Sequence, residues 1–292
     1  MKRIGWVAAL LLLVSSSFAL AGDEPEHRVL VYGLAIAAGC SEREARLIAN
    51  SSWSMDMNHT TEAMHGAFRE DVPAITNVVQ ALRKDPGLAA RLMSDDKTLD
   101  RFIFDDKGAL SRIGPAAFLH ALNPKKGETT AAFKDYMQTQ MDSLRQSGAG
   151  AEQLRQARLV LMGQYLHMYV DSFVHPDDPV FGHAKEGHPA DYAYAHPEKF
   201  TQAALGTVKE LRGFLKEDGR HDVDKRLETI GLGSEEKQKE FCAKLVDAVA
   251  RGYSQDPDKQ NVVQRYTGDV SPEEVRHAEK NVESTMNAFF KG

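Results

Sequence analysis

The stretch from Gly163 to Pro197 reads GQYLHMYVDSFVHPDDPVFGHAKEGHPADYAYAHP, and the rest of the chain is organised around it. It holds five of the eleven histidines of the 292-residue chain, where even spreading would place about one. These are His167, His175, His183, His188 and His196. Five carboxylates lie in the same stretch, and this density of ligand-type side chains indicates a functional segment.

The first half of the stretch continues an apolar, helix-forming run that begins at Ala157. His167 and Asp171 are four residues apart, so a helix places both side chains on one face. His175 follows one turn later and directly precedes Pro176, where the helix must end because proline disfavours helical geometry in the residue before it. We therefore predict a helix whose last turns present a His-Asp-His series along one face.

The second half is divided by glycine and proline, which is typical of a loop. The dividing residues are Pro176, Pro179, Gly182, Gly187 and Pro189. Such a loop can fold His183, His188 and Asp191 back over the end of the helix. Because imidazole nitrogen and carboxylate oxygen are ligands that suit zinc and similar divalent ions, the stretch predicts a metal site. The simpler alternative is a solvent-exposed histidine-rich loop beside an ordinary His167–Asp171 surface pair.

The chain begins with the pattern of a secretory signal peptide. Met1 to Ala21 comprises two basic residues, an apolar run from Ile4 to Val14 and then small residues, and the apolar run is too short to span a bilayer. We expect a mature protein that starts at Gly22, is periplasmic or secreted, and has no transmembrane anchor. Cys40 and Cys242 would be exposed to an oxidising compartment there. They form either one disulfide or two buried thiols, and the sequence does not decide between these alternatives.

The charge of the chain restricts its partners. The formal net charge is −6, and removal of the two basic residues of the leader makes it −8. This acidic balance argues against stable binding to nucleic acid or to anionic membrane surfaces. A small-molecule or phosphoester substrate would have to be attracted by a local metal charge.

The mature chain reads as a series of helices, without a convincing run of alternating β-branched residues. The predicted helices are 27–38, 41–56, 72–84, 86–93, 129–146, 151–174, 197–216, 234–251 and 275–290, with a turn-rich loop at 95–115 and a short apolar piece at 116–122. Gly39 closes the first helix, and Ser41 to Glu44 forms a capping box that opens the second. We therefore predict an all-α fold, a multi-helix bundle with a clustered metal site and a Gly/Pro/His-rich loop. Residues 22–292 are expected to form a single domain, with the metal-site core at about 27–200 and a helical C-terminal extension at 201–292.

Three residues upstream of the stretch could complete the metal site. His27 lies near the mature N-terminus, Asp56 ends the second predicted helix, and His120 precedes an Ala-Leu-Asn-Pro segment. Taken singly, each is more simply explained as a surface or capping residue.

The order of these residues resembles that of a known superfamily. It is similar to the ligand order of the zinc-dependent phospholipase C and fungal single-strand nuclease enzymes. In that order an early His is followed by an Asp after a helix rich in Ala and Ile, and then by a lone His. After these come His-x-x-x-Asp on a helix and further His residues in the following loop. A closer resemblance is to uncharacterised bacterial His/Asp-rich helical proteins. It is carried by Ala37–Gly39, Ile48–Asp56, Leu166–His175 and Gly182–Asp191, and it covers roughly residues 27–200. The resemblance implies an all-α secreted or periplasmic enzyme with clustered zinc ions.

The resemblance also implies the ligands of two or three zinc ions. Around one ion it places Asp56, His120, His167 and Asp171, with Asp171 bridging to another. Around a second ion it places His175, His183 and His188, with Asp191 as a further ligand or partner, and His27 serves a third. Asp171 and Asp56 are the predicted catalytic residues.

This ligand order predicts that the first two mature helices pack beside the helix at 151–174, so that Asp56 and His120 approach His167 and Asp171. The chain departs from the enzymes in two places. Its expected mature N-terminus is Gly22 instead of Trp, and His188 is followed by Asp191 at three residues instead of Glu at four.

If the site is catalytic, the predicted chemistry is metal-assisted hydrolysis of a phosphoester by an activated water. The alternative is a periplasmic metal-binding or interaction protein that uses the same scaffold without turnover. A third interpretation, a helical structural protein with a surface histidine loop, predicts no stoichiometric metal. The sequence singles out neither nucleic acid nor lipid as a substrate, and it indicates no oligomeric state.

Overall fold

A computed structural model of the protein describes residues 25–57, 126–174, 192–220, 222–252 and 272–291. These residues form helices and turns, and no β-strand occurs among them. The first described element is a π-helix at Pro25–Leu30. It is followed by α1 (Val31–Ala38), α2 (Glu42–Met57), α3 (Lys126–Gln146), α4 (Ala151–Val174), α5 (Pro197–Glu217), α6 (Val223–Thr229), α7 (Glu235–Ala250) and α8 (Pro272–Lys291). The prediction of an all-α fold is confirmed.

The bounds of most described helices agree closely with the sequence prediction. Helix α4 has the predicted bounds, 151–174, and ends just before the His175–Pro176 pair. The structure adds the short helix α6, and it begins the first predicted helix with a π-helical turn. The predicted elements at 72–84, 86–93, 95–115 and 116–122 lie outside the described residues, as does the predicted leader at 1–21. None of the described helices combines the length and the hydropathy that a membrane-spanning segment requires.

The turn between α1 and α2 follows from two local signals. Gly39 ends α1 in the left-handed conformation, with a φ of 104° that glycine adopts without strain. The backbone N–H of Ser41 then donates to Glu44 Oε2 at 2.8 Å, and the Glu44 N–H donates back to Ser41 Oγ at 3.4 Å. The predicted capping box is therefore confirmed.

The carboxylate of Glu44 also joins α2 to two other parts of the bundle. Arg155 of α4 donates to its Oε1 at 2.5 Å, and Arg220, just after α5, pairs with the same oxygen. Burial alone would raise the pKa of Glu44, but the hydrogen bonds from Ser41 and Arg155 and the charge of Arg220 lower it to about 2. The ionised carboxylate therefore ties the start of α2 to α4 and to the turn after α5.

Helix α4 packs against α2, α3 and α5. It meets α2 at Gly163, where an added Cβ would lie 2.3 Å from the carbonyl oxygen of Ile48. Beside this contact the Ser51 hydroxyl donates to the Val160 carbonyl at 2.8 Å. The lack of a side chain at Gly163 therefore lets the two backbones approach.

Helices α2 and α4 run in the same direction. Glu44 pairs with Arg155 near the start of each helix, and Ile48 faces Gly163 further along both. The last turn of α2, which contains Asp56, therefore lies toward the Val174 end of α4. The prediction that the first two mature helices pack beside α4 is confirmed for the second helix, α2, whereas α1 packs mainly against α2 and α5.

The C-terminal helices pack onto the N-terminal ones. Helix α5 contacts α1, α4 and α7, while α7 and α8 contact each other and the π-helix. Buried residues of these helices belong to one hydrophobic cluster, for example Leu34, Leu211, Leu245 and Val282. The described part of 201–292 therefore packs against the segment that carries His27. The domain limits remain a prediction.

Both cysteines are buried, and both carry free thiols. Burial raises the pKa of Cys242 to about 12. The sequence leaves open a disulfide or two buried thiols, and the structure has two buried thiols.

Candidate metal centre

Two histidines and one aspartate from distant parts of the sequence meet inside the bundle. His27 comes from the π-helix, while His167 and Asp171 lie one turn apart on α4. One ligand atom from each lies within 4.8 Å of the others, and the three residues are at most 1% exposed. Within the described part of the chain, this is the one group of three ligand-type residues that could hold a metal ion.

Asp171 presents a different oxygen to each imidazole ring. Nε2 of His27 is 3.1 Å from Oδ1, and Nε2 of His167 is 3.3 Å from Oδ2. The two ring centroids are 4.0 Å apart, and the ring planes are tilted by 32°. One carboxylate is thus shared by imidazoles from two separate elements.

These separations fit the geometry of a bound divalent ion. Two ligand atoms that are each about 2.1 Å from an ion lie about 3.0 Å apart at a right angle and about 3.4 Å apart at the tetrahedral angle. The two nitrogen–oxygen distances of 3.1 and 3.3 Å fall within that range. Imidazole nitrogen with carboxylate oxygen is also a donor set that zinc accepts.

His27 provides a second indication. Both of its ring nitrogens are buried, and neither has a hydrogen-bond partner among the described residues. The 3.1 Å contact between its Nε2 and Asp171 is therefore close enough for a hydrogen bond but is not directed as one. A buried polar atom without a partner costs about 1–3 kcal/mol, which coordination of a cation would offset. The described residues thus form a buried His/His/Asp cluster that could bind a metal ion.

The π-helix carries His27 into the interior. Its wider turn is rare in proteins and is found frequently at functional sites. Glu26 and His27 are both completely buried in it. The next residue, Arg28, reaches outward, where its guanidinium lies 5.4 Å from the ring of Trp53 and 3.4 Å from the Glu279 carboxylate. The segment is therefore held on its outer side as well.

A second face of α4 is occupied by aromatic rings at four-residue spacing. The Tyr165 and Tyr169 rings are 5.6 Å apart, and the Tyr169 and Phe173 rings are 5.2 Å apart. The Tyr165 hydroxyl donates to Glu210 of α5 at 3.1 Å, and burial together with the charge of Glu210 raises the pKa of Tyr165. Because this face is packed, α4 is fixed in rotation about its axis, and the site residues are fixed with it.

The structure describes the side chains of three of the nine predicted metal ligands and brings those three together. They are His27, His167 and Asp171. Asp56 lies in the last turn of α2, but its side chain is outside the described part. The other predicted ligands also lie outside it: His120, His175, His183, His188 and Asp191. The resemblance gives His27 an ion of its own, whereas the structure places its ring against the ring of His167.

Glu26 is a residue to which the sequence interpretation gives no role. It is completely buried, and its Oε1 accepts the backbone N–H of Ala193 at 2.8 Å. An acidic residue in a first helical turn is ordinarily explained by the helix dipole, so its position beside His27 is the only signal that marks it.

Comparison with known proteins adds no assignment to this geometry. No protein-family model, no curated protein and no solved structure matches the chain.

Proposed function

We propose that the protein is an exported, zinc-dependent hydrolase that acts on phosphoesters through a metal-activated water. The observation that carries this proposal is the buried cluster of His27, His167 and Asp171, with its nitrogen–oxygen separations of 3.1 and 3.3 Å. The ligand order in the sequence, which resembles that of the zinc-dependent phospholipase C and single-strand nuclease superfamily, supports it. The signal-peptide pattern at 1–21 supports export.

Asp171 has the central role in this proposal. Each of its oxygens faces a different imidazole, which suits a carboxylate that bridges two ions. The sequence suggests His175 as the neighbour on the far side of Asp171, and the described geometry favours His27 in such a place. Asp56 is a further proposed ligand and catalytic residue, because the shared direction of α2 and α4 brings its turn toward the Asp171 end of α4.

The chain's own residues would hold the ions and keep bulk water away from them. His27, His167 and Asp171 are at most 1% exposed, and in such surroundings the attraction between a cation and a carboxylate is stronger than in water. Zinc bound there would lower the pKa of a water toward about 7 and offset charge on the phosphoryl oxygens. Since the whole chain is acidic, an anionic substrate would be attracted by this local charge.

The test is metal content followed by turnover. The mature protein, produced in metal-replete medium, should contain about two zinc ions per chain, and His27→Ala should lower that content. A screen of phosphomonoesters, phosphodiesters and phospholipids should find one class that is hydrolysed, with activity lost to a chelator and restored by zinc. Less than about half an equivalent of metal per chain would rule the proposal out.

A metal-binding protein without turnover is the second candidate function, and the burial of the cluster favours it. A catalytic zinc site needs an open coordination position that substrate can reach. The three described ligand residues are at most 1% exposed. Stoichiometric metal, no hydrolysis in the screen, and a Co²⁺ absorption spectrum that added inorganic phosphate does not change would together support this candidate over the enzyme.

A further inference from the structure

We propose that Glu26 is a positioning residue of the metal centre, one that holds His27 in place through its hydrogen bond to the backbone of Ala193. The inference rests on the proposed metal site at His27, His167 and Asp171. Neither the ligand pattern of the sequence nor the resemblance gives Glu26 a part in that site.

The carboxylate of Glu26 lies where it has lost its contact with water. It is completely buried, and removal of a carboxylate from water is costly unless directed hydrogen bonds replace its hydration. One such bond comes from the N–H of Ala193, at 2.8 Å and itself buried. Because a buried carboxylate is limited to positions where such bonds are made, Glu26 restrains its own stretch of backbone.

This restraint acts on His27 because the two residues are consecutive in the same short helix. The π-helix has six residues, and Glu26 lies in its first turn, where backbone N–H groups have no intrahelical partner; His27 is the next residue. On the outer side the segment is held by Arg28 through Glu279 and Trp53. On the inner side Glu26 provides the bond to a distant part of the chain. A metal ligand must be held within about 0.5 Å of its working position, so a first turn that shifts would misplace the ring.

The partner of the bond extends the restraint to α4. Ala193 lies in a turn before α5, in which the N–H groups of Ala195 and His196 both bond to the Tyr192 carbonyl, at 3.0 and 3.2 Å. Lys199, in the first turn of α5, donates to the carbonyl of Val174, the last residue of α4, at 2.9 Å. A continuous series of contacts therefore runs from Glu26 through the start of α5 to the helix that carries Asp171. This series sets the distance between the ligands on the two elements.

Three substitutions at Glu26 separate the hydrogen bond from the charge. Glu26→Gln keeps an acceptor oxygen at the same reach and removes the charge. Glu26→Asp keeps the charge but shortens the side chain by a methylene, and Glu26→Ala removes both. Positioning through the Ala193 bond predicts that Gln is tolerated and that Asp behaves like Ala. Direct ligation or a purely electrostatic role predicts the opposite order.

The measurement is metal affinity of the mature protein, by titration with Co²⁺ and with Zn²⁺, and the visible spectrum of bound Co²⁺ reports its coordination. The Ala and Asp variants should bind about tenfold more weakly or worse, because loss of an outer partner of a metal ligand costs about 10–100-fold. The Gln variant should stay within about threefold of the parent, since its amide oxygen accepts the same N–H. The Co²⁺ spectra of the Ala and Asp variants should differ from that of the parent, and the spectrum of the Gln variant should match it.

Glu44→Ala is the matched control. Glu44 is likewise a buried carboxylate with directed bonds, but it pairs with Arg155, twelve residues before His167. At 1.5 Å per residue that is about 18 Å along α4. This control should lower thermal stability and leave the metal affinity and the Co²⁺ spectrum unchanged.

Full metal affinity in Glu26→Ala would overturn the inference, and so would a Gln variant as weak as the Ala variant. If Glu26→Ala does not fold, the comparison of Gln with Asp decides. A parent protein that binds no metal overturns the proposed site together with this inference. A parent that binds metal, with Glu26 variants that match it, overturns the positioning role alone.

Discussion

The substitution Asp171→Asn separates the proposed role of this carboxylate in metal binding from its role in the fold. Asparagine has nearly the same shape, so packing around α4 is retained while a negative charge and a ligand oxygen are lost. Because the two carboxylate oxygens lie 3.1 Å from His27 Nε2 and 3.3 Å from His167 Nε2, the change affects both imidazoles. We expect the loss of about one bound ion and of any hydrolysis.

The expected magnitude follows from the linkage between binding and stability. Loss of a mere outer partner costs about 10–100-fold in metal affinity, so loss of a direct ligand should cost about 100-fold or more. At a zinc concentration about 1,000 times the parent's Kd, bound metal stabilises the parent by about 4.1 kcal/mol, and a variant with 100-fold weaker binding keeps about 1.4 kcal/mol. The zinc-loaded variant should therefore lose about 2.7 kcal/mol. The metal-free variant should be at least as stable as the metal-free parent, because burial of a carboxylate costs several kcal/mol and burial of an amide costs less.

Chemical denaturation with zinc present and with a chelator present measures both differences. Asp142→Asn on α3 is the control, since that carboxylate is 49% exposed and pairs with Arg145 on the surface. It should change neither the metal content nor the effect of zinc on stability. Asp177 and Asp178, which lie outside the described residues, are predicted to behave like this control. An Asp171→Asn variant that loses equal stability with and without zinc, or a control that loses as much metal, would refute the reasoning.

Three further predictions concern the fold. Gly163→Ala should destabilise the protein by about 1–3 kcal/mol in urea unfolding, because its Cβ would overlap the α2 backbone. Gly213→Ala in α5 is the control: nothing lies within 4 Å of its Cβ, so it should stabilise the protein by about 0.5–1 kcal/mol. The carboxylate of Glu44 has its pKa lowered from 4.5 to about 2, so its contribution is complete above pH 4.5 and is lost as the pH falls toward 2. The difference in unfolding free energy between the parent and Glu44→Gln should therefore shrink over that window, and a constant difference would contradict the assignment. Cys40 and Cys242 should react slowly with a thiol reagent in the native protein and at once after denaturation, with two thiols counted per chain; an unreactive denatured chain would indicate a disulfide.

The parts of the fold that the sequence predicts are those set by local chemistry. Pro176 marks the end of α4, and the Ser41–Glu44 box marks the start of α2, because each signal acts within a few residues of itself. The approach of His167 to Asp171 follows in the same way from helical spacing.

The rest depends on packing between distant segments. His27 contacts Asp171 from a π-helix, and no periodicity in six residues distinguishes that helix from an α-helical turn. The burial of Glu26 and the close approach at Gly163 are likewise decided by a neighbour more than a hundred residues away. Residue type alone therefore identifies these side chains as candidates without showing which of them meet.

The sequence separation within the His/His/Asp cluster has a consequence for how the protein folds. His27 and Asp171 are 144 residues apart, so the ends of a long loop must come together before the two side chains can share an ion. The entropy of closing such a loop is about 4 kcal/mol beyond its constant part, and contacts of this range are slow to form. An unfolded chain therefore presents no such cluster to metal ions. The cluster comes into existence only when the bundle closes, so any ion that it binds would be one available where folding finishes.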